Sequence, residues 1–164
     1  MDWQKFLHYL QTEHNVATAY LFIGYMREHE DMYRQLHELG YLIVLKPTVG
    51  MYDTPPDIPA HGSKTQADLA KSSGRPPIKG NIDAELVLYA LKDMPKYNQA
   101  VIVSGDGDFY CLVEYLESKN RLKAILAPNW QYSTLLKPYE KYIIRLDQLR
   151  ARLEHKDYRK KSKR

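Results

Sequence analysis

The chain has 164 residues, enough for one domain and hardly two. Hydrophobic residues make up 44% and charged residues 27%, a globular balance that excludes a largely disordered chain, and the single Cys111 excludes an intrachain disulfide. The formal charge is +4, but residues 150–164 alone carry +6 and the rest −2, so the basicity belongs to the C-terminal segment and not to the folded body. Asp2 is a cap for a helix beginning at Trp3, whose apolar face is Trp3, Phe6, Leu7 and Leu10. Residues 17–23 predict a buried strand broken by Gly24 and Tyr25. Residues 28–39 predict a helix with Met32, Leu36 and Leu39 inward, ended by Gly40. Residues 41–46 form the next strand, stopped by Pro47.

Residues 47–80 hold six prolines and four glycines, with Lys64, Lys71, Arg75 and Lys79 among them. They read as one long loop, either a flap beside a site or an ordinary insertion. Residues 82–93 predict a helix with Ile82, Leu86, Ala90 and Leu91 toward the core, and Asn81 in front of it is a good cap. A strand over 99–103, a glycine-rich turn over 104–108 and a helix to Ser118 follow, the last with Phe109, Leu112, Val113 and Leu116 inward. Residues 122–126 are a strand, 130–137 a short helix, 141–146 an edge strand and 147–156 a last helix. Strands alternating with helices predict an α/β fold with a mostly parallel sheet. The organisation is a domain over 1–149 and a basic tail over 150–164.

The sharpest local feature is Ser104-Gly105-Asp106-Gly107-Asp108-Phe109. It lies where a parallel strand ends and a helix starts, the place where open α/β sheets put their ligands. Crowded carboxylates repel unless a cation or shared proton offsets them, and hard oxygen ligands suit Mg²⁺ or Mn²⁺. The equal alternative is structural, with Asp108 capping the helix and Asp106 stabilising the turn. Asp83 starts the preceding helix on the face it shares with Leu86, Val87 and Ala90, which points it toward the same sheet end. Glu85 reads as solvent-facing or as reaching the rim of the site, and Lys79 as a phosphate contact or a plain surface lysine. The run lacks the spacing of a calcium loop, a dinucleotide fingerprint and the lysine of a phosphate loop. Histidines 8, 14, 29, 37, 61 and 155 have no zinc spacing, and Cys111 beside Leu112 reads as a buried structural thiol. Of the fourteen tyrosines, Tyr25, Tyr52, Tyr110 and Tyr132 are candidates for stacking on bases, and Trp130 is a better one.

Lys79-Gly80-Asn81-Ile82-Asp83, the apolar helix after it and Val101-Ile102-Val103-Ser104-Gly105-Asp106-Gly107-Asp108-Phe109 together resemble the NYN domain family, in its LabA-like branch, within the PIN-like nuclease superfold. The likeness runs from Asp2 to about Leu149 and takes in the Trp3 helix and the closing Tyr142-Ile143-Ile144-Arg145-Leu146. It implies a Rossmann-like three-layer fold and ribonuclease chemistry dependent on Mg²⁺ or Mn²⁺. Asp83, Asp106 and Asp108 take the places of family acids, and Ser104 that of a site-lining hydroxyl. Lys79, Asn81, Arg75 and Trp130 complete the candidate RNA contacts. Family members carry a central strand with an Asp before the Trp3 helix, so the resemblance implies a sheet here without that strand and a site short of its central acid. Three functions follow as expectations. They are metal-dependent cleavage of RNA, RNA binding without cleavage, and a protein-interaction domain whose open sheet is completed by a second copy or a partner strand. No signal peptide and no apolar run of roughly 20 residues is present, so no membrane is expected and the expected location is cytoplasmic.

Overall fold

The computed structural model describes residues 1–46 and 82–154. The predicted 47–80 loop, with Arg75 and Lys79, and also Asn81 and the tail beyond Glu154 lie outside the described residues. Helix α1, Trp3–His14, starts where Asp2 Oδ1 accepts the Lys5 amide at 3.1 Å, and it closes at Asn15 in the left-handed region at φ 52°. Its buried residues include Phe6, Leu7, Tyr9 and Leu10, while Trp3 packs edge-on against Phe6 and Tyr41. Strand β1, Tyr20–Gly24, begins later than the predicted 17–23, because the chain first turns back and the Val16 amide donates to the Leu10 carbonyl. A 3₁₀ turn over Arg27–His29 leads into α2, Glu30–Glu38, and Gly40 at φ 106° turns the chain into β2, Leu42–Lys46. The inward face of α2 is Tyr33 and Leu36, and Met32 and Leu39 are exposed, contrary to the predicted stripe. Tyr33 wins the inward position because its hydroxyl accepts the Met26 amide at 3.0 Å and so closes the turn from β1.

Helix α3 spans Asp83–Lys92, with Ile82 at its cap position. Leu86, Val87 and Ala90 lie against the core, whereas Leu88 and Leu91 are exposed, which corrects the inward placement of Leu91. Strand β3 is Ala100–Ile102, followed by a 3₁₀ turn over Gly107–Phe109 and α4, Tyr110–Ser118. Phe109, Leu112, Val113 and Leu116 are buried as their spacing predicts, and Cys111, between two inward positions, is exposed rather than buried. Strand β4 is Leu122–Ala127. The helix predicted over 130–137 winds later, as a 3₁₀ segment over Thr134–Tyr142 that Ser133 caps and that holds Pro138. Strand β5, Ile143–Arg145, a 3₁₀ turn over Leu146–Leu149 and α5, Arg150–Leu153, complete the described chain.

All strand pairings are parallel, and the α/β class holds. Among the described residues the strands form two sheets, β1–β2 and β3–β4–β5, so β1, β2, β3 and β5 each keep one edge without a strand partner. One apolar cluster joins them from one side, bringing α1 together with Leu21 and Ile23 of β1, Val101 of β3 and Ala124 and Leu126 of β4. On the other side α3 touches both, with Tyr89 edge-on to Tyr20 and Phe22 of β1 while Leu86 and Ala90 join the cluster of β3 and α4. Helices therefore cover both faces, as a doubly wound fold requires. A bulge shifts the β3–β4 register, pairing Ala100 with Leu122 but Val101 with Ala124. That sends Leu122 and Ile125 to one face and Ala124 and Leu126 to the other, and leaves Lys123 to donate to the His14 carbonyl at 2.7 Å. Among the described residues no helix is long and apolar enough to cross a membrane.

The end of α3 is pinned to β1 by Asp93, which is 7% exposed, accepts from the Tyr20 hydroxyl at 2.8 Å and pairs with Lys96 at 2.9 Å. The Lys96 ammonium first, then the Tyr20 hydroxyl, holds the Asp93 carboxyl below the usual carboxylate range. A depressed folded-state pKa contributes stability above the unfolded value, and that stability is lost as pH falls through the folded value. Asp93→Asn is therefore expected to lower the urea midpoint at neutral pH. The gap from the unaltered chain should close as pH drops below about 4, the ordinary carboxylate range. A gap independent of pH would contradict this.

Candidate functional site

Two chain reversals meet at the carboxyl ends of the strands. In the first, the chain leaves β3 through Ser104 and Gly105 into the 3₁₀ turn. Ser104 Oγ accepts the Asp106 amide at 3.1 Å, and Asp106 Oδ1 accepts the Asp108 amide at 3.0 Å. Asp106, not Asp108, is therefore the cap. Its second oxygen has no role in that cap, and the Ser104 hydroxyl keeps its own hydrogen to donate.

The second reversal is the loop after β4. The Ser133 amide donates to the Gly105 carbonyl at 2.8 Å and locks this loop onto the acidic turn. The fit is tight at Gly105 and leaves no room for a side chain at Gly107. A methyl at position 105 would meet Tyr132 Cβ at 3.2 Å and Pro128 Cδ at 3.3 Å. At position 107 it would overlap Ser133 Oγ and stand 3.1 Å from Leu135 Cδ1. Ser104, Gly105, Asp106, Pro128, Asn129, Gln131 and Tyr132 line the resulting open cavity of about 320 Å³.

Asp83 is the first residue of α3, and α3 packs against the 3₁₀ turn of Asp108. The start of α3 stands at the carboxyl end of β2, because Lys46 there reaches Glu85 at 2.8 Å. Glu85 is thus an ion-pair partner rather than a solvent-facing acid, and the Lys46 ammonium holds its carboxyl below the usual range. Trp130 stands 65% exposed beside the cavity. Among the described residues no three His, Cys, Asp or Glu side chains gather tightly enough to cage one ion. The donor chemistry, carboxylate and hydroxyl oxygen, still fits Mg²⁺ or Mn²⁺, since Mg²⁺ is usually held by one or two carboxylates with the remainder from water and substrate phosphate. Pattern reading missed Asn129, Gln131 and Tyr132 as parts of one cavity with Asp106. Only the Pro128-Asn129 turn at the end of a strand hinted at that loop.

A domain model described as the NYN domain matches residues 1–147, nearly the whole described chain. The chain belongs to the NYN domain family. This NYN domain is also similar in structure to a protein of unknown function from Vibrio parahaemolyticus. The match has a TM-score of 0.62 and 21% identity, and covers 90% of this chain and 79% of the other. At that identity the likeness shows the fold alone, an α/β one with parallel strand pairing. No curated protein matches the chain. The family places the domain among nuclease-like proteins with RNA-related function, a class generally dependent on divalent metal.

The glycine fit gives a stability test. Gly107→Ala should cost about 1–3 kcal/mol in urea unfolding, the range for forcing extra atoms into a packed site. Adding Ser133→Gly should recover part of the loss. A Gly107→Ala chain as stable as the parent would show that the two loops do not press together.

Proposed function

We propose that this NYN domain hydrolyses phosphodiester bonds of single-stranded RNA at the edge formed by α3 and the Ser104–Asp108 turn, with Asp83, Asp106 and Asp108 as its acids. The observation that carries the reading is the placement of Asp106. It caps its own turn with one oxygen, faces the cavity, and belongs to a turn against which the Asp83 helix packs. Carboxylate oxygens on two adjoining elements are hard donors of the kind that suit a divalent cation. When bound, Mg²⁺ or Mn²⁺ supplies charge neutralisation at the phosphodiester and an acidified water. The chain's own groups do the rest. The free oxygen of Asp106, with Asp83 and Asp108, would hold the cation, and the Ser104 hydroxyl donates to a phosphate oxygen. Lys79, Asn81 and Arg75 supply further RNA contacts, and the basic segment 150–164 adds sequence-independent attraction to the phosphate backbone. The LabA-like branch is the part of the family that this motif set fits best.

A second reading, RNA binding without cleavage, is favoured by one observation. Among the described residues no three acidic, histidine or cysteine groups close around a common point. One experiment separates the two. Labelled single-stranded RNA is incubated with the full chain in Mn²⁺, in chelator, and in Mn²⁺ with Asp106→Asn. The hydrolase reading predicts product in Mn²⁺ alone, with Asp106→Asn lower by about a hundredfold, since even outer-shell changes at metal sites cost 10–100-fold. Equal product in all three arms would reject it. Bound but uncut RNA in every arm would establish the second reading.

A further inference from the structure

The loop after β4 differs chemically from the rest of the site. Residues 127–133, Ala-Pro-Asn-Trp-Gln-Tyr-Ser, carry no charge. Among the described residues Asp106 is the one charged side chain lining the cavity they share. The loop side of the cavity offers a phosphate no positive charge of its own. It does offer partners to a nucleobase, because a carboxamide offers a donor and an acceptor side by side and an indole offers a flat π surface.

The loop is also built rather than loose. Its far end is tied to Gly105 through the Ser133 amide, and Tyr132 is fixed by packing against the β3–α4 core. Asn129 Oδ1 accepts the Gln131 amide at 2.7 Å, which bends the loop and leaves the Asn129 amide nitrogen as a donor. That bend sets Trp130 out at 65% exposure between two cavity-lining carboxamides. A large indole held out of the core by a hydrogen-bonded turn, at the mouth of a polar cavity, is placed for contact with a flat partner.

We propose that the 128–132 loop is a nucleobase seat, in which Trp130 stacks on one base of a single-stranded RNA and the Asn129 and Gln131 carboxamides read that base's edge beside Asp106. The seat rests on the RNA reading of the site and adds to it a contact that selects bases rather than backbone.

The test uses the full chain in chelator, so that nothing is cut. Fluorescence anisotropy follows a labelled single-stranded RNA and an abasic ribose-phosphate oligomer of equal length. The parent should bind the RNA more tightly than the abasic oligomer. Trp130→Ala should weaken RNA binding by roughly tenfold, within the range for loss of one stacked base, and leave the abasic oligomer unchanged. Trp130→Phe should keep most of the affinity, and Gln131→Leu should flatten the parent's preference between adenosine and uridine oligomers. Equal binding of RNA and abasic oligomer by the parent would overturn the seat and leave RNA binding standing. So would unchanged RNA affinity in Trp130→Ala. A parent with no preference between the two homopolymers would overturn the edge-reading role. Failure of the parent to bind either oligomer would overturn both the seat and the RNA reading beneath it.

Discussion

The arrangement depends on apolar packing across a boundary that backbone hydrogen bonds do not cross. Among the described residues β1–β2 and β3–β4–β5 share no strand pairing. Side chains of α1 and α3 hold them together instead. Phe6, Leu7 and Leu10 of α1 belong to a cluster fed by both sheets, and α3 reaches both from the opposite face through Tyr89 and Leu86. Burying a side chain of this size is worth about 1.5–3 kcal/mol, so a few such contacts outweigh any single polar link between the halves. The site inherits this dependence, since Asp83 rides on α3 and Asp106 on the end of β3.

Polar contacts act as pins on that packed frame. Asp93 fixes the far end of α3 to Tyr20, and Lys46 fixes the near end through Glu85. Asp93 is buried but its ion-pair partner Lys96 is exposed, and the Lys46–Glu85 pair is half-buried; ion pairs reached by solvent contribute little to stability. Their value is positional. They set the height of α3 along β1 and β2, and hence where the helix start falls at the strand ends. The two glycines of the acidic turn do the same for the other half by letting the β4 loop close onto that turn.

Much of this was legible in local sequence. Asp2 as a cap, Gly40 as a stop and the 109/112/113/116 face follow from nearest-neighbour physics, and each stands in the structure as read. The readings that failed involve competition between neighbours on one element. Tyr33 displaced Met32 and Leu39 from the inward face of α2 because its hydroxyl had a backbone partner there. Cys111 was assigned to the core by its apolar neighbours, but helical geometry had already given the inward places to Leu112 and Val113. The site divides the same way. The acidic turn was visible as a motif, whereas its wall of Asn129, Gln131 and Tyr132 comes from a distant strand. Its position follows from the Gly105–Ser133 bond and from a bulge in β4, neither of which leaves a periodic trace.

On the proposed reading, acids from α3 and from the β3 turn share one cation. Paramagnetic broadening by substoichiometric Mn²⁺ in the amide spectrum of the full chain tests it without reference to any substrate. Amides of 83–85 and of 104–108 should broaden together, at the same Mn²⁺ concentration, and Asp106→Asn should remove both effects. Broadening confined to one of the two segments, or to neither, would contradict it.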